Sequence, residues 1–277
     1  DMEVIGITGS NGKTTIKEWL YQMINDRQVV KSPKSYNSQT GVPLSVWQIK
    51  QGDQLGIFEA GISQTGEMDK LKAIINPNIG LFTLLGDAHS EGFNNLSEKL
   101  NEKLKLFENA TTIIYEEDDL IVSMAMREKY EHKNLFTWGW SQESTLFRIT
   151  EMQKSNYQTK VNIICHNETS LHSLVIPFSD AASIENALHC VAVMLVLKIP
   201  MDFIKTALSR IQNIPMRLEM KNGIQNSILI NDTYNADLQS FKIALEFLSQ
   251  QAGAKDKVII LSDFMQTGLE EKTLNHQ

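Results

Sequence analysis

The stretch Val4-Ile5-Gly6-Ile7-Thr8-Gly9-Ser10-Asn11-Gly12-Lys13-Thr14-Thr15-Ile16 decides the fold. Residues 4–8 are short, apolar and largely β-branched, which predicts a buried strand. Gly9 to Gly12 is a turn, and beyond it Ile16, Trp19, Leu20, Met23 and Ile24 recur at helical spacing. Strand, glycine loop and helix in this order suit a phosphate. Glycines let the backbone approach closely, and a helix N-terminus presents unpaired N–H groups with roughly half a positive charge. Lys13 can reach the β- and γ-phosphates of a nucleotide, and the Thr14 hydroxyl can ligate Mg²⁺. The strict P-loop pattern asks for a glycine five places before Gly12. Ile7 stands there, so the loop is a variant.

Outward from the loop, residues 56–60 read as a strand and 67–75 as a helix ending ahead of Pro77. Residues 79–85 read as a strand, 96–109 as a helix and 112–115 as a strand. This alternation predicts a mostly parallel α/β sheet with helices on both faces. After Leu135 the segments 146–152, 160–166 and 171–178 read as an antiparallel extension of the sheet. Helices follow over 182–197 and 202–211. Ile214-Pro215-Met216-Arg217 reads as a linker, and a strand (227–231), a helix (236–250) and a strand (257–261) then open a second, Rossmann-like α/β domain. The expected division is 1–214 and 215–277, the second domain being only partly present.

Bulk composition narrows the classes. The chain has 277 residues, 42% hydrophobic and 21% charged, as in soluble globular proteins. A net charge of −7 argues against a nucleic-acid partner. Cys165 and Cys190 fit no metal or redox spacing and read as buried thiols in a reducing compartment. No run of about 18 apolar residues predicts a membrane span. A cytoplasmic location is expected.

The loop from Ile7 to Thr15 closely resembles that of the Mur ligases and of folylpolyglutamate synthetases, in which the fifth residue back is not glycine. The resemblance covers nearly the whole chain: a central ATP-binding domain and the first part of the C-terminal ligase domain, with the family's N-terminal domain lacking. It implies an ATP-dependent acid–amino-acid ligase. Gly9, Asn11, Gly12, Lys13, Thr14 and Thr15 would hold the ATP phosphates. Glu59, in Phe58-Glu59-Ala60-Gly61, would bind Mg²⁺, and so would His89, in Gly86-Asp87-Ala88-His89. Lys103 matches the lysine that is carbamylated in these ligases, where the carbamate helps hold a second Mg²⁺; Lys99 and Lys105 flank it. Asn186 matches the second asparagine of the helix near the adenine, with Ser183 and Ala182 at the places of the first asparagine and a frequent histidine. Arg217 matches a hinge arginine that reaches the phosphates. Asp232 matches the residue on the ribose hydroxyls.

Tyr234-Asn235-Ala236 after that aspartate resembles the branch that adds D-alanyl-D-alanine to a UDP-muramyl tripeptide through an acyl phosphate, a step of peptidoglycan synthesis. Asn37-Ser38-Gln39-Thr40-Gly41 resembles that branch's substrate-side loop. Asp237-Leu238 and Ser262 depart from its pattern. The rival readings are another Mur ligase or a folylpolyglutamate synthetase, a P-loop kinase or ATPase, and a nucleotide-binding module without ligase activity. The chain alone is expected to be inactive as a ligase, because the third domain must close on the nucleotide.

Overall fold

The structure is a computed structural model, and it describes residues 2–86, 92–155, 157–234, 238–252 and 256–261. Nine strands form one sheet in the order β2-β3-β1-β4-β5-β6-β7-β8-β9. In chain order they are β1 (Glu3–Thr8), β2 (Val29–Lys31), β3 (Leu55–Glu59), β4 (Ile79–Phe82), β5 (Thr112–Glu116), β6 (Asn134–Gly139), β7 (Phe147–Lys154), β8 (Thr159–Cys165) and β9 (Leu171–Ile176). From β2 to β7 all neighbours are parallel; β7, β8 and β9 pair antiparallel. The expected architecture, a parallel sheet with an antiparallel extension, is what forms.

The two faces carry separate cores. Ile5, Ile7, Ile57, Leu81 and Ile114 point to one face, where they meet α1 (Lys13–Met23), α6 (Ala181–Val196) and α7 (Met201–Leu208). Their neighbours Phe58, Phe82, Ile113 and Tyr115 point to the other. That face is covered by α3 (Glu67–Ile75), α4 (Leu96–Leu104), the 3₁₀ turn Lys105–Phe107 and α5 (Leu120–Tyr130). Successive residues of a strand face opposite ways, so a sheet covered on both sides needs the near-continuous apolar runs seen in the sequence.

β1 is the pivot of the sheet. The chain leaves it for β2 and β3 on one side and crosses to β4 on the other. Ligands of open α/β sheets bind outside the carboxyl ends of strands at such a switch point. Register places Glu59 beside Ile7 and Phe82 beside Thr8, so the ends of β3 and β4 flank the glycine loop.

Several boundaries differ from expectation, each for a local reason. The strand at 79–85 stops at Phe82, because Thr83 turns its hydroxyl to the Asn11 carbonyl (2.6 Å). The helix at 96–109 tightens into the 3₁₀ turn after Leu104. The sequence reading lacked β2, α2 (Gly41–Val46), α5 and β6. After residue 214 it also lacked β10 (Glu219–Asn222), which pairs antiparallel with β11 (Ile228–Asn231) ahead of α8 (Leu238–Ala252). The strand expected at 257–261 does not form: residues 256–261 carry no regular structure, and Val258 and Ile260 are largely exposed. A strand needs a neighbour for its backbone N–H and C=O groups, and no described strand lies alongside.

Candidate functional site: a phosphate loop flanked by a buried carboxylate and three lysines

The loop is shaped by two glycines in backbone regions closed to other residues: Gly9 has φ 144° and Gly12 φ 85°. A Cβ on Gly9 would overlap the Thr83 hydroxyl, and one on Gly12 would overlap the Asn186 side-chain oxygen. Ile7 is wholly buried in β1, and Thr8 still pairs with Phe82. The strand therefore occupies the place where a strict P-loop would already be turning. Ser10 N donates to the Leu84 carbonyl (2.7 Å), and the Ser10 hydroxyl donates to the Gly86 carbonyl (2.9 Å). With Thr83 on Asn11, these bonds fasten the loop to the chain leaving β4.

Lys13 opens α1, and its Nζ donates to the carbonyls of Gly9 (2.8 Å) and Ser10 (2.9 Å). The ammonium is thereby held over the loop that would wrap a phosphate. Thr14 Oγ1 donates to Glu59 Oε2 (2.9 Å) and lies 2.9 Å from the Ser35 hydroxyl. The other Glu59 oxygen, Oε1, is 2.8 Å from Lys17 Nζ, and both side chains are fully buried. Glu59 N donates to Ser32 Oγ (3.2 Å). The set Thr14, Glu59 and Ser35 is made of hard oxygen donors on one side of the loop, which suits magnesium. The Asn37 carbonyl accepts Gly61 N (2.8 Å), docking the 37–41 loop against the end of β3.

Lys103 sits on α4 at 2% exposure and donates to the Gly9 carbonyl (3.0 Å) from the other core. Burial, then the charges of Lys13 and Lys99, hold its amine well below the ordinary lysine range. Lys99, four residues earlier on the same face of α4, is equally buried and donates to the Gly86 carbonyl. Lys105 points away, to Glu102 (2.8 Å) and Asp69 (3.0 Å). Of the three candidate lysines, only Lys105 is therefore separated from the loop. As an ammonium Lys103 cannot ligate a cation; it fits that role only once carbamylated.

A cleft beside the loop brings together Asn11, Gly12, Thr15, Asn186, Arg217 and Asp232, with Trp19 and Ser183 also in its wall. Asp232 Oδ1 accepts Leu218 N (3.1 Å), and the Arg217 guanidinium lies 4.1 Å from the centre of the Tyr234 ring. Thus residues far apart in sequence line one cavity. Asn186 lies on the first turns of α6, whose N-cap is Asp180, accepting Ser183 N (2.8 Å). Deeper on that helix, His189 is fully buried and driven down to about 3 by burial; Trp138 Nε1 donates to its Nδ1 (3.2 Å). His89, Asp87 and Ala88 lie outside the described residues, as do Asn235, Ala236 and Asp237.

The sequence reading gave no role to Ser10, Lys17, Ser35 and Thr83, and named Lys99 only as a neighbour of Lys103. Two of these had a signal. Lys17 follows Lys13 by four and Thr14 by three, and Lys99 precedes Lys103 by four, so each shares a helix face with a site residue. Ser10, Ser35 and Thr83 contribute through loop geometry, which sequence spacing does not show.

The family model for the Mur ligase middle domain matches residues 7–194. UDP-N-acetylmuramoyl-tripeptide--D-alanyl-D-alanine ligases are similar along the chain. The one from Bacillus subtilis is 26% identical over 99% of this chain and 59% of its own length. The one from Buchnera aphidicola is 28% identical over 99% and 60%. The chain thus spans about three-fifths of the curated relatives it matches. Among solved structures, a MurF from Acinetobacter baumannii superposes with a TM-score of 0.85 at 24% identity, covering 96% of this chain and 58% of that one. A MurF ligase from Thermotoga maritima in complex with ADP gives 0.76 at 24% identity, with 90% and 57% covered. The structural likeness shows the fold. Because the family model spans well over half of the 277 residues, from the strand before the loop into α6, the chain belongs to the Mur ligase family.

Proposed function

We propose that this chain is the ATP-binding part of a ligase that joins D-alanyl-D-alanine to a UDP-muramyl tripeptide in the cytoplasm. The observation that carries the reading is the convergence at the end of β1. A glycine loop capped by Lys13, a hydroxyl–carboxylate pair (Thr14, Glu59) and a cleft holding Asn186, Arg217 and Asp232 meet at one sheet switch point. The name shared by the curated relatives supports the choice of substrates. In this reading 1–214 is the central domain and 215–277 the beginning of the C-terminal domain.

A carboxylate resists attack by an amine because it is anionic and its oxygen leaves poorly. Transfer of the γ-phosphoryl group of ATP to that carboxylate gives an acyl phosphate. The amine of D-alanyl-D-alanine adds to its carbonyl, and the tetrahedral intermediate expels phosphate as the amide forms. The chain supplies positioning and charge neutralisation. Gly9, Asn11, Gly12 and Thr15 wrap the phosphates with backbone N–H groups, while Lys13 and Arg217 offset their charge. Asn186 faces the adenine and Asp232 the ribose. Thr14 and Glu59, with His89 and Lys103, would hold two Mg²⁺ ions, which neutralise phosphate charge when bound. Lys103 reaches that role by carbamylation: its neutral amine bonds to the carbon of CO₂ and loses a proton, turning a group that repels cations into an anion. The lowered basicity of the buried amine favours this nucleophilic form at neutral pH.

The test is phosphate release by the full-length protein given ATP, Mg²⁺ and UDP-muramyl tripeptide, with amine acceptors added singly. Release that depends on D-alanyl-D-alanine is expected. Release with a different acceptor only would move the chain to another branch of the family. Release indifferent to any acceptor would reduce the reading to nucleotide hydrolysis.

A further inference from the structure

Lys17 has no place in the roles above, yet it is one of the largest fully buried side chains of the molecule. A buried charge is retained in a fold only when it is paired. Here it forms ion pairs with Glu59 Oε1 (2.8 Å) and Glu18 Oε1 (3.1 Å) and donates to the Lys34 carbonyl; the Glu59 contact is an ion pair by distance and lacks hydrogen-bond geometry. Glu18 is in turn held by Lys31 (2.9 Å). The result is a file of alternating charge, Lys31, Glu18, Lys17, Glu59, ending at the Thr14 hydroxyl on Glu59 Oε2. Lys17 takes one carboxylate oxygen, and the other is turned to the side chain that follows Lys13 in the phosphate loop.

We propose that Lys17 is the positioning residue for the carboxylate of the metal site. It fixes Glu59 through Oε1, leaves Oε2 as the one oxygen presented with Thr14 to a divalent cation, and as a fixed positive charge weakens binding of that cation until phosphate oxygens join it. This rests on the reading of Thr14 and Glu59 as magnesium-holding groups. The physical consequence is selectivity for the nucleotide-bound metal. Without Lys17 the site would be a bare buried carboxylate, attractive to a divalent cation on its own. With it, the alternating file is already neutral, and the cation gains most when it arrives with the anionic phosphates.

The experiment is Mn²⁺ binding followed by the loss of the free-ion electron paramagnetic resonance signal, with and without ADP, on the 277-residue chain and its variants. Lys17→Met is expected to bind Mn²⁺ without ADP at least about tenfold more tightly than the unmodified chain, since one nearby positive charge has been removed. Its gain in Mn²⁺ affinity from ADP should shrink. Its melting temperature without metal should fall and be restored by Mn²⁺, because removal of one partner leaves Glu59 buried and uncompensated. Glu59→Gln and the double variant Lys17→Met with Glu59→Gln remove the carboxylate first. Both should bind Mn²⁺ more weakly than Lys17→Met, and the double variant, with neither charge left, keeps the test available if the single one folds poorly. Equal Mn²⁺ affinity in Lys17→Met and the unmodified chain would overturn the proposal, as would a tightening of the double variant over Glu59→Gln as large as that of Lys17→Met over the unmodified chain. Failure of the unmodified chain to bind Mn²⁺ even with ADP would overturn the metal-site reading itself.

Discussion

At Gly12 the backbone stands at φ 85°, directly against the Asn186 side chain. An L-residue there meets two penalties. The left-handed conformation costs roughly 1–2 kcal/mol, and the new methyl group displaces the asparagine assigned to the adenine. Gly12→Ala is therefore expected to lower stability modestly and ADP affinity by about tenfold or more, the second effect exceeding what strain alone produces. Thermal unfolding and calorimetric titration of ADP on the same samples separate the two. Unchanged ADP affinity with lowered stability would detach Asn186 from the nucleotide. This residue pair also shows where sequence reading stops. Gly12, Lys13 and Thr14 are legible because a loop between a strand and a helix fixes their roles by position. That Asn186 presses on Gly12 from 174 residues away is a product of packing α6 against α1, and no spacing announces it. Lys17 and Lys99 offer only their helix-face spacing to a site residue, because a buried lysine on a helix is otherwise written in sequence like any surface one.

Elements were legible where their pattern was strong. The run from β1 through α1 and the helix α3 follow from periodicity, and α3 forms with the bounds read from sequence. α5 and β6 escaped for a physical reason. Leu120, Ile121 and Met124 of α5 are exposed, so its apolar residues are spread around the helix and give no stripe. β2 has three residues, all half-buried, too short for any alternation. The two elements that enclose the acidic groups beside the site, β5 and α6, carry a further consequence. Glu116 ends β5 and is raised to about 8 by burial, then by Glu185, Asp118 and Asp119; Glu185 on α6 is raised to about 7 by burial and Asp119. A carboxyl whose folded value lies above its unfolded one binds more protons when folded. Its contribution is present at low pH and is lost as pH rises from the ordinary carboxylate range toward 8. Glu116→Gln should flatten that decline and leave the variant more stable than the unmodified chain at pH 8 by roughly 1–3 kcal/mol. Urea unfolding at pH 5 and pH 8 would show it, and parallel pH dependence in the two chains would mean that the carboxyl is already solvated.

At the scale of the whole chain, the cleft decides how the parts communicate. Its wall takes Asn11, Gly12 and Thr15 from the loop, Ser183 and Asn186 from α6, and Arg217, Asp232 and Ser240 from the segment beyond residue 214. A nucleotide seated there touches all three, so its binding free energy must be shared by the nine-stranded sheet and the β10–β11 hairpin. The hairpin is the weaker participant. Ile224, Ile228 and Leu229 are exposed, and the two strands pair only with each other among the described residues. Small two-stranded units are marginal alone, so the hairpin should gain most from the ligand. Anything that binds the folded form at a hundredfold excess over its dissociation constant adds about 2.7 kcal/mol. Limited proteolysis with and without ADP and Mg²⁺ should therefore show cleavage within residues 219–231 slowing markedly, while cleavage in the β8–β9 turn, which contributes nothing to the cleft lining, keeps its rate. Asp232→Asn should reduce this protection, since it alters the carboxylate that accepts Leu218 N and is assigned to the ribose. Equal slowing at both places would indicate a general stabilisation of the fold. No slowing at the hairpin, with ADP shown to bind, would place the nucleotide on the loop and α6 alone and remove Arg217 and Asp232 from its site.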